Sequence, residues 1–240
     1  MNDLNTPTRI HTLELGPMEN FVYVIEDTQS KRAAVVDPAW EPTKILDLAR
    51  QRGLTITDIL LTHSHHDHIN AVDNILHEYD AEMHLTHAEA EHWGQAGTHP
   101  CLHHGGDHIN LGNTEIEILH TPGHTPGSAC YKVQEQLITG DTMFVFGCGR
   151  CDMAGGDPNQ MFDTLNKIKH NLPATTEILP GHNYAVKETV SLGEQIEGNP
   201  FLHFETQNDF VNFRMKRHGQ VRQSPYDAVS KTCAHEWLHG

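Results

Sequence analysis

The chain lacks any run of 18 apolar residues, so it offers no transmembrane helix. Its first residues, Met1 to Pro7, show no basic segment followed by an apolar one, so no secretory signal is expected. A disulfide framework is missing as well. The five cysteines (Cys101, Cys130, Cys148, Cys151 and Cys233) are an odd count without regular spacing, which suits a reducing cytoplasm. Positive charge is scarce: 16 Lys and Arg face 32 Asp and Glu, a formal net charge of −16. Phosphate backbones attract basic surfaces, so nucleic acid is not expected as a partner. No internal repeat or low-complexity linker interrupts the 240 residues. That length suits one domain, or one domain with an appendage, and can bury a sizeable core.

Histidine, by contrast, is abundant, at 21 residues. Thr62-His63-Ser64-His65-His66-Asp67-His68 places His63, His65, Asp67 and His68 at fixed offsets, with His66 at a position not counted as a ligand. This segment follows the apolar, strand-like run Ile56 to Leu61. Imidazole and carboxylate are ligands that zinc or iron accepts. Alternation along an extended segment puts His63 and His65 on one side. Asp67 and His68 then turn toward a second point, so one loop can serve two metal ions, an arrangement that suits hydrolysis. Three further motifs each carry a ligand at a strand end or in a tight turn: Thr121-Pro122-Gly123-His124-Thr125-Pro126-Gly127, Gly140-Asp141-Thr142, and Pro180-Gly181-His182-Asn183. Proline and glycine fix the backbone in such turns and leave the central side chain projecting.

The pattern predicts strands at 9–14, 20–26, 32–36, 57–61 and 82–85, then at 114–119, 128–133, 136–140 and 176–179. Helices are predicted at about 42–51, 70–79, 87–94 and 158–170. Pro42 and Gly53 bracket the first helix, and Asp157 is the expected N-cap of the last. Residues 95–113, rich in Gly and His, read as loop, and 184–240 as mostly helical. The order implies two sheets flanked by helices, with ligands at strand ends, where α/β folds usually place sites.

These motifs together resemble the metallo-β-lactamase-fold hydrolases, whose His-x-His-x-Asp-His, then His, Asp and His, is met in order over roughly 9–184. The resemblance implies an αββα sandwich, with residues 1–183 as the catalytic domain and 184–240 as a short C-terminal helical extension packed on it. It also implies that His63, His65 and His124 hold one metal ion, that Asp67, His68 and His182 hold a second, and that Asp141 bridges them. Zinc is the first expectation; iron and manganese also accept this set. The expected chemistry is attack on a polarised carbonyl by hydroxide held between the ions, with Asp67 orienting the nucleophile.

Gly140-Asp141-Thr142-Met143-Phe144, followed by Gly147-Cys148-Gly149-Arg150, resembles the glyoxalase II (hydroxyacylglutathione hydrolase) group. So do His182-Asn183-Tyr184 and Asn199-Pro200-Phe201-Leu202. The resemblance implies a small-molecule thioester substrate, S-2-hydroxyacylglutathione, with Arg150 and Tyr184 contacting its glutathione part; a guanidinium suits a carboxylate. Asp152 and His203 depart from that group's pattern. Gly-Cys-Gly-Arg with an aspartate two residues on is similar to the iron-dependent persulfide dioxygenases, the alternative reading. An RNA-processing nuclease or a lactonase on the same fold ranks lower.

Other residues carry less. Cys148 and Cys151 read as ordinary thiols near the site mouth. Seven histidines between His84 and His108 read as a solvated loop in preference to a third metal site. Asp37, before Pro38 at a strand end, reads either as support for a metal-bound histidine or only as the close of the strand. Phe201, Phe204, Phe210 and Phe213 read as packing of the tail on the core.

Overall fold

The computed structural model describes residues 7–94 and 99–239. One sheet holds Thr8–Leu15 (β1), Asn20–Asp27 (β2), Arg32–Val36 (β3), Thr55–Leu60 (β4), Glu82–Thr86 (β5) and Cys101–His103 (β6), in that spatial order. The other holds His108–Leu111 (β7), Thr114–His120 (β8), Ala129–Val133 (β9), Gln136–Gly140 (β10), Glu177–Pro180 (β11) and Val190–Ser191 (β12), again as neighbours in sequence order. From β3 to β6 the pairing is parallel, and from β1 to β3 antiparallel. In the second sheet only β10 and β11 run parallel.

The helices are Pro42–Arg52 (α1), His66–Ile69 (α2), Val72–Glu78 (α3), His87–Trp93 (α4), Pro158–Asn171 (α5), Leu192–Gly198 (α6), Gln207–Asn212 (α7), His218–Val221 (α8) and Lys231–His239 (α9). A π-helical stretch, Phe213–Arg217, joins α7 to α8. Among the described residues no helix is long and apolar enough to cross a membrane.

Strand periodicity explains the layering. Along β2 every residue is buried. Phe21, Tyr23 and Ile25 pack with Leu111, Ile116, Tyr131 and Leu179 between the sheets, whereas Val22 and Val24 pack with Ile45 and Ala49 of α1 and Ile75 of α3. A strand covered on both faces has no polar side, hence its continuous apolar run. The second sheet is covered in turn: Leu137 and Ile178 meet Met161, Leu165 and Ile168 of α5 together with Phe201, Phe204, Phe210 and Phe213. The result is the expected αββα sandwich with C-terminal helices, and the tail phenylalanines do pack on the core.

Local signals hold where they are strongest. Asp157 Oδ1 accepts from the amides of Asn159 (2.8 Å) and Gln160 (3.4 Å) and caps α5. Gly53, at φ 64°, closes α1 in the left-handed conformation that glycine adopts cheaply. One expectation is corrected. Residues 95–113 are not all loop, because β6 and β7 lie within them (95–98 fall outside the described residues). Each strand is three or four residues long, too short for periodicity to register, and forms by pairing with β5 and β8.

Candidate metal centre

The predicted residues arrive from four separate segments and converge at one end of the sandwich. His63 and His65 sit on the loop after β4, and Asp67 and His68 on α2 immediately beyond. Asp141 follows β10, His182 follows β11, and His124 stands in the turn between β8 and β9. Glycine lets the last approach happen. A Cβ on Gly181 would lie 2.7 Å from Asp141 Oδ1, and Gly140 holds φ +47°.

Two triads of donor atoms form: His63, His65 and His124 in one, Asp67, His68 and His182 in the other, each within 4.8 Å. Asp141 lies between them. Its Oδ2 is 3.4 Å from His124 Nε2, and its Oδ1 is 3.3 Å from both His68 Nε2 and His182 Nε2. One carboxylate oxygen thus faces each triad.

Hydrogen bonds behind the rings decide which nitrogen faces inward. His68 Nδ1 donates to Asp37 Oδ2 (2.9 Å), His124 Nδ1 to the Arg150 carbonyl (2.7 Å), and His182 Nδ1 to the Met18 carbonyl (2.8 Å). Thr62 Oγ1 donates to Asp37 Oδ2 (2.6 Å), which leaves its lone pair for His63 Nδ1 at 3.0 Å. In neutral rings so held, all four Nε2 atoms are bare acceptors. His68 Nε2 and His182 Nε2 nevertheless stand 3.2 Å apart, and His124 Nε2 lies 2.9 Å from His65 Nδ1. His63 Nε2 and Asp141 Oδ1 are buried without a hydrogen-bond partner. Clustered lone pairs repel unless a cation sits among them, so this donor set fits divalent metal ions.

Electrostatics agree. Burial lowers the His63 and His65 pKa values, favouring the neutral rings that ligate. Burial opposes ionisation of Asp67 and Asp141, but the closeness of the neighbouring histidines, with the Asn20 amide on Asp67, outweighs it and holds both below the ordinary carboxylate value. Burial alone would push His68 down, yet Asp141, Asp37 and Asp67 raise it well above normal. The centre attracts positive charge, whether proton or metal.

A cavity of about 820 Å³ opens from this centre. Tyr184 lines it and stacks on His182 (4.6 Å between centroids, 9° between planes). Arg150 lies at the exposed rim in a two-point ion pair with Asp152, both contacts 2.9 Å. Cys148 lines the cavity but is buried, as is Cys151, and burial raises both thiols, the latter to about 12. Neither is a ready nucleophile.

Further lining comes from the C-terminal segment, and the sequence did not place it there. Arg214, His218 and Arg222, four residues apart in turn, line the same cavity with Tyr226. Arg214 Nε, His218 Nε2 and Arg222 Nη1 are buried without partners. Burial pushes Arg222 down to about 10 and, with the two arginines, His218 to about 3. Spacing by four was the available signal; it marks one helical face but not what that face meets.

Residues 15–182 match the model of the Metallo-beta-lactamase superfamily. The "Probable polyketide biosynthesis zinc-dependent hydrolase PksB" of Bacillus subtilis (strain 168) is 33% identical over 198 residues, 82% of this chain and 88% of that one. A hydroxyacylglutathione hydrolase of Photorhabdus laumondii is 35% identical over 168 residues, 70% of this chain and 64% of that one. Among solved structures, ETHE1 from Myxococcus xanthus superposes with a TM-score of 0.80 at 26% identity, covering 87% of this chain and 90% of that chain.

Proposed function

The chain belongs to the metallo-beta-lactamase superfamily, and on that premise we propose that this metallohydrolase cleaves thioesters whose thiol half carries a carboxylate, S-2-hydroxyacylglutathione first among them. The carrying observation is the cavity. The His/Asp centre and two arginines, Arg214 half-buried and Arg222 buried, line it together, and each guanidinium keeps one buried N–H without a partner. Arg222 Nη2 donates to the Asp227 carbonyl (2.8 Å), but no carboxylate among its described contacts pairs with its charge, and a bound anion would complete the remaining buried N–H. The hydroxyacylglutathione hydrolase and PksB-type relatives support a hydrolase of this class.

In this reading His63, His65 and His124 hold one divalent ion, Asp67, His68 and His182 hold the other, and Asp141 serves both. Zinc is favoured by the zinc-dependent relative; iron and manganese also suit the donors. When bound, the ions supply Lewis acidity and lower the pKa of water. The remaining work belongs to the protein. Asn20 Nδ2 donates to the Asp67 carbonyl (3.0 Å) and to Asp67 Oδ2 (3.1 Å), which fixes a carboxylate that can orient the attacking water through its proton. Arg214 and Arg222 grip the carboxylate of the thiol half, and Tyr184 covers the channel between. Arg150 reaches a substrate carboxylate only by exchanging Asp152 for it. The departing thiolate is a good leaving group, so no dedicated general acid is required.

The test is hydrolysis of S-lactoylglutathione before and after chelation. Fast turnover that chelator abolishes and zinc restores supports the reading. No turnover by metal-loaded protein rejects it. Oxygen uptake with glutathione persulfide would then identify the iron-dependent dioxygenase alternative, to which the Arg150–Asp152 wording is similar.

A further inference from the structure

A second cluster of ligand-type side chains lies away from the cavity, on the parallel edge β4–β5–β6. Strand alternation places Glu82 and His84 on one face of β5, and Cys101 and His103 on one face of β6. Register sets Asp58 beside Glu82, His84 beside Cys101, and Thr86 beside His103. Adjacent strands lie about 4.8 Å apart, so these side chains meet. Donor atoms of Glu82, His84 and Cys101 all fall within 4.8 Å of one another.

The hydrogen bonds repeat the logic of the main centre. Asp58, buried and paired with Arg32 at 3.4 Å, accepts from His84 Nε2 at 3.1 Å. That leaves the buried His84 with Nδ1 as a bare acceptor. His103 Nε2 stands 3.0 Å from it. The same carboxylate-behind-imidazole arrangement occurs in Asp37 and His68, and the same close nitrogen pair in His68 and His182. Two nitrogens on one tetrahedral zinc stand about 3.3 Å apart, given Zn–N bonds of about 2.0–2.1 Å. A proton shared between the two rings and a thiol proton donated from Cys101 Sγ to Glu82 Oε2 (3.8 Å) would satisfy these atoms one pair at a time; a single cation in place of both protons would use all four donors at once. Burial, followed by the Glu82 charge, raises the Cys101 pKa, the direction in which a bound cation would be needed to hold a thiolate.

We propose that Glu82, His84, Cys101 and His103 form a second, structural site for a zinc-class cation, independent of the hydrolytic centre, that ties the edge strand β6 to β5. Thiolate with imidazole selects zinc or cobalt over magnesium or calcium. Asp58 is a positioning residue that sets the His84 ring.

The experiment uses full-length protein loaded with cobalt and desalted, with metal per chain and absorption measured together. Wild type should show a thiolate-to-cobalt charge-transfer band in the near ultraviolet. Cys101→Ser, a near-isosteric change on a partly exposed residue, should lose that band and one metal equivalent while keeping hydrolase turnover. Asp141→Ala, which disrupts the main centre, should keep the band. A wild type without the band, or a Cys101→Ser variant with unchanged metal content and spectrum, overturns the proposal, and neither result bears on the hydrolytic reading.

Discussion

Asp37 serves both halves of the metal centre through one carboxylate: Oδ2 accepts from His68 Nδ1 at 2.9 Å and from Thr62 Oγ1 at 2.6 Å, and that hydroxyl lies 3.0 Å from His63 Nδ1. His68 belongs to one triad and His63 to the other. Asp37→Ala should therefore weaken metal retention at both triads. Outer partners of ligating histidines are typically worth about 10- to 100-fold in affinity. Chelator competition measures it; a variant that releases metal as wild type does would show the carboxylate only closes a strand.

Asp141 has one oxygen toward each triad. Asp141→Ala should lower turnover beyond the loss at Asp37, by more than about 100-fold, since a direct donor is removed instead of its support. Steady-state kinetics with metal in excess decide this. Retention of most wild-type activity would sink the assignment.

Arg214 and Arg222 predict a split between binding and chemistry. Arg222→Met should raise KM for S-lactoylglutathione by about tenfold to a hundredfold, as hydrogen bonds to charged groups contribute about 1.5–3 kcal/mol. A neutral aryl thioester should show no such change. An equal loss on both substrates would mean that the arginine holds the C-terminal helices together and does not recognise the substrate carboxylate.

Asp27 joins the two sheets at the end opposite β2's start. Its carboxylate accepts from the Ser30 amide (2.7 Å) and hydroxyl (2.8 Å), the Asn113 amide (3.0 Å) and Thr114 Oγ1 (3.0 Å). Burial opposes its charge, but these donors prevail and its pKa lies below the ordinary 3.8. A carboxylate depressed on folding stabilises above its unfolded pKa, and that contribution is lost as pH falls through the folded value. Asp27→Ala should cost about 1–3 kcal/mol near neutrality, because the buried Thr114 hydroxyl and the part-buried donors of Ser30 and Asn113 lose their acceptor. The difference from wild type should shrink below about pH 4. Urea titrations of both proteins across pH measure it, and a gap that does not vary with pH would exclude the charge as its source.

The sequence by itself marked the residues that converge at the main centre. They sit within one six-residue segment or in short turns, several with Pro or Gly, that leave few backbone alternatives. The order of strands and helices followed from apolar runs and from caps such as Asp157, which act over a few residues. Tertiary structure alone decided three things. It made strands of Cys101–His103 and His108–Leu111, because three or four residues carry no periodicity and gain their hydrogen bonds from distant partners. It brought Arg214, His218 and Arg222 over the centre, because packing of Phe201, Phe210 and Phe213 sets where the last helices lie. And it moved His84 from an expected solvated stretch into a buried pairing with Asp58 and His103, a contact set by register between parallel strands rather than by any local spacing.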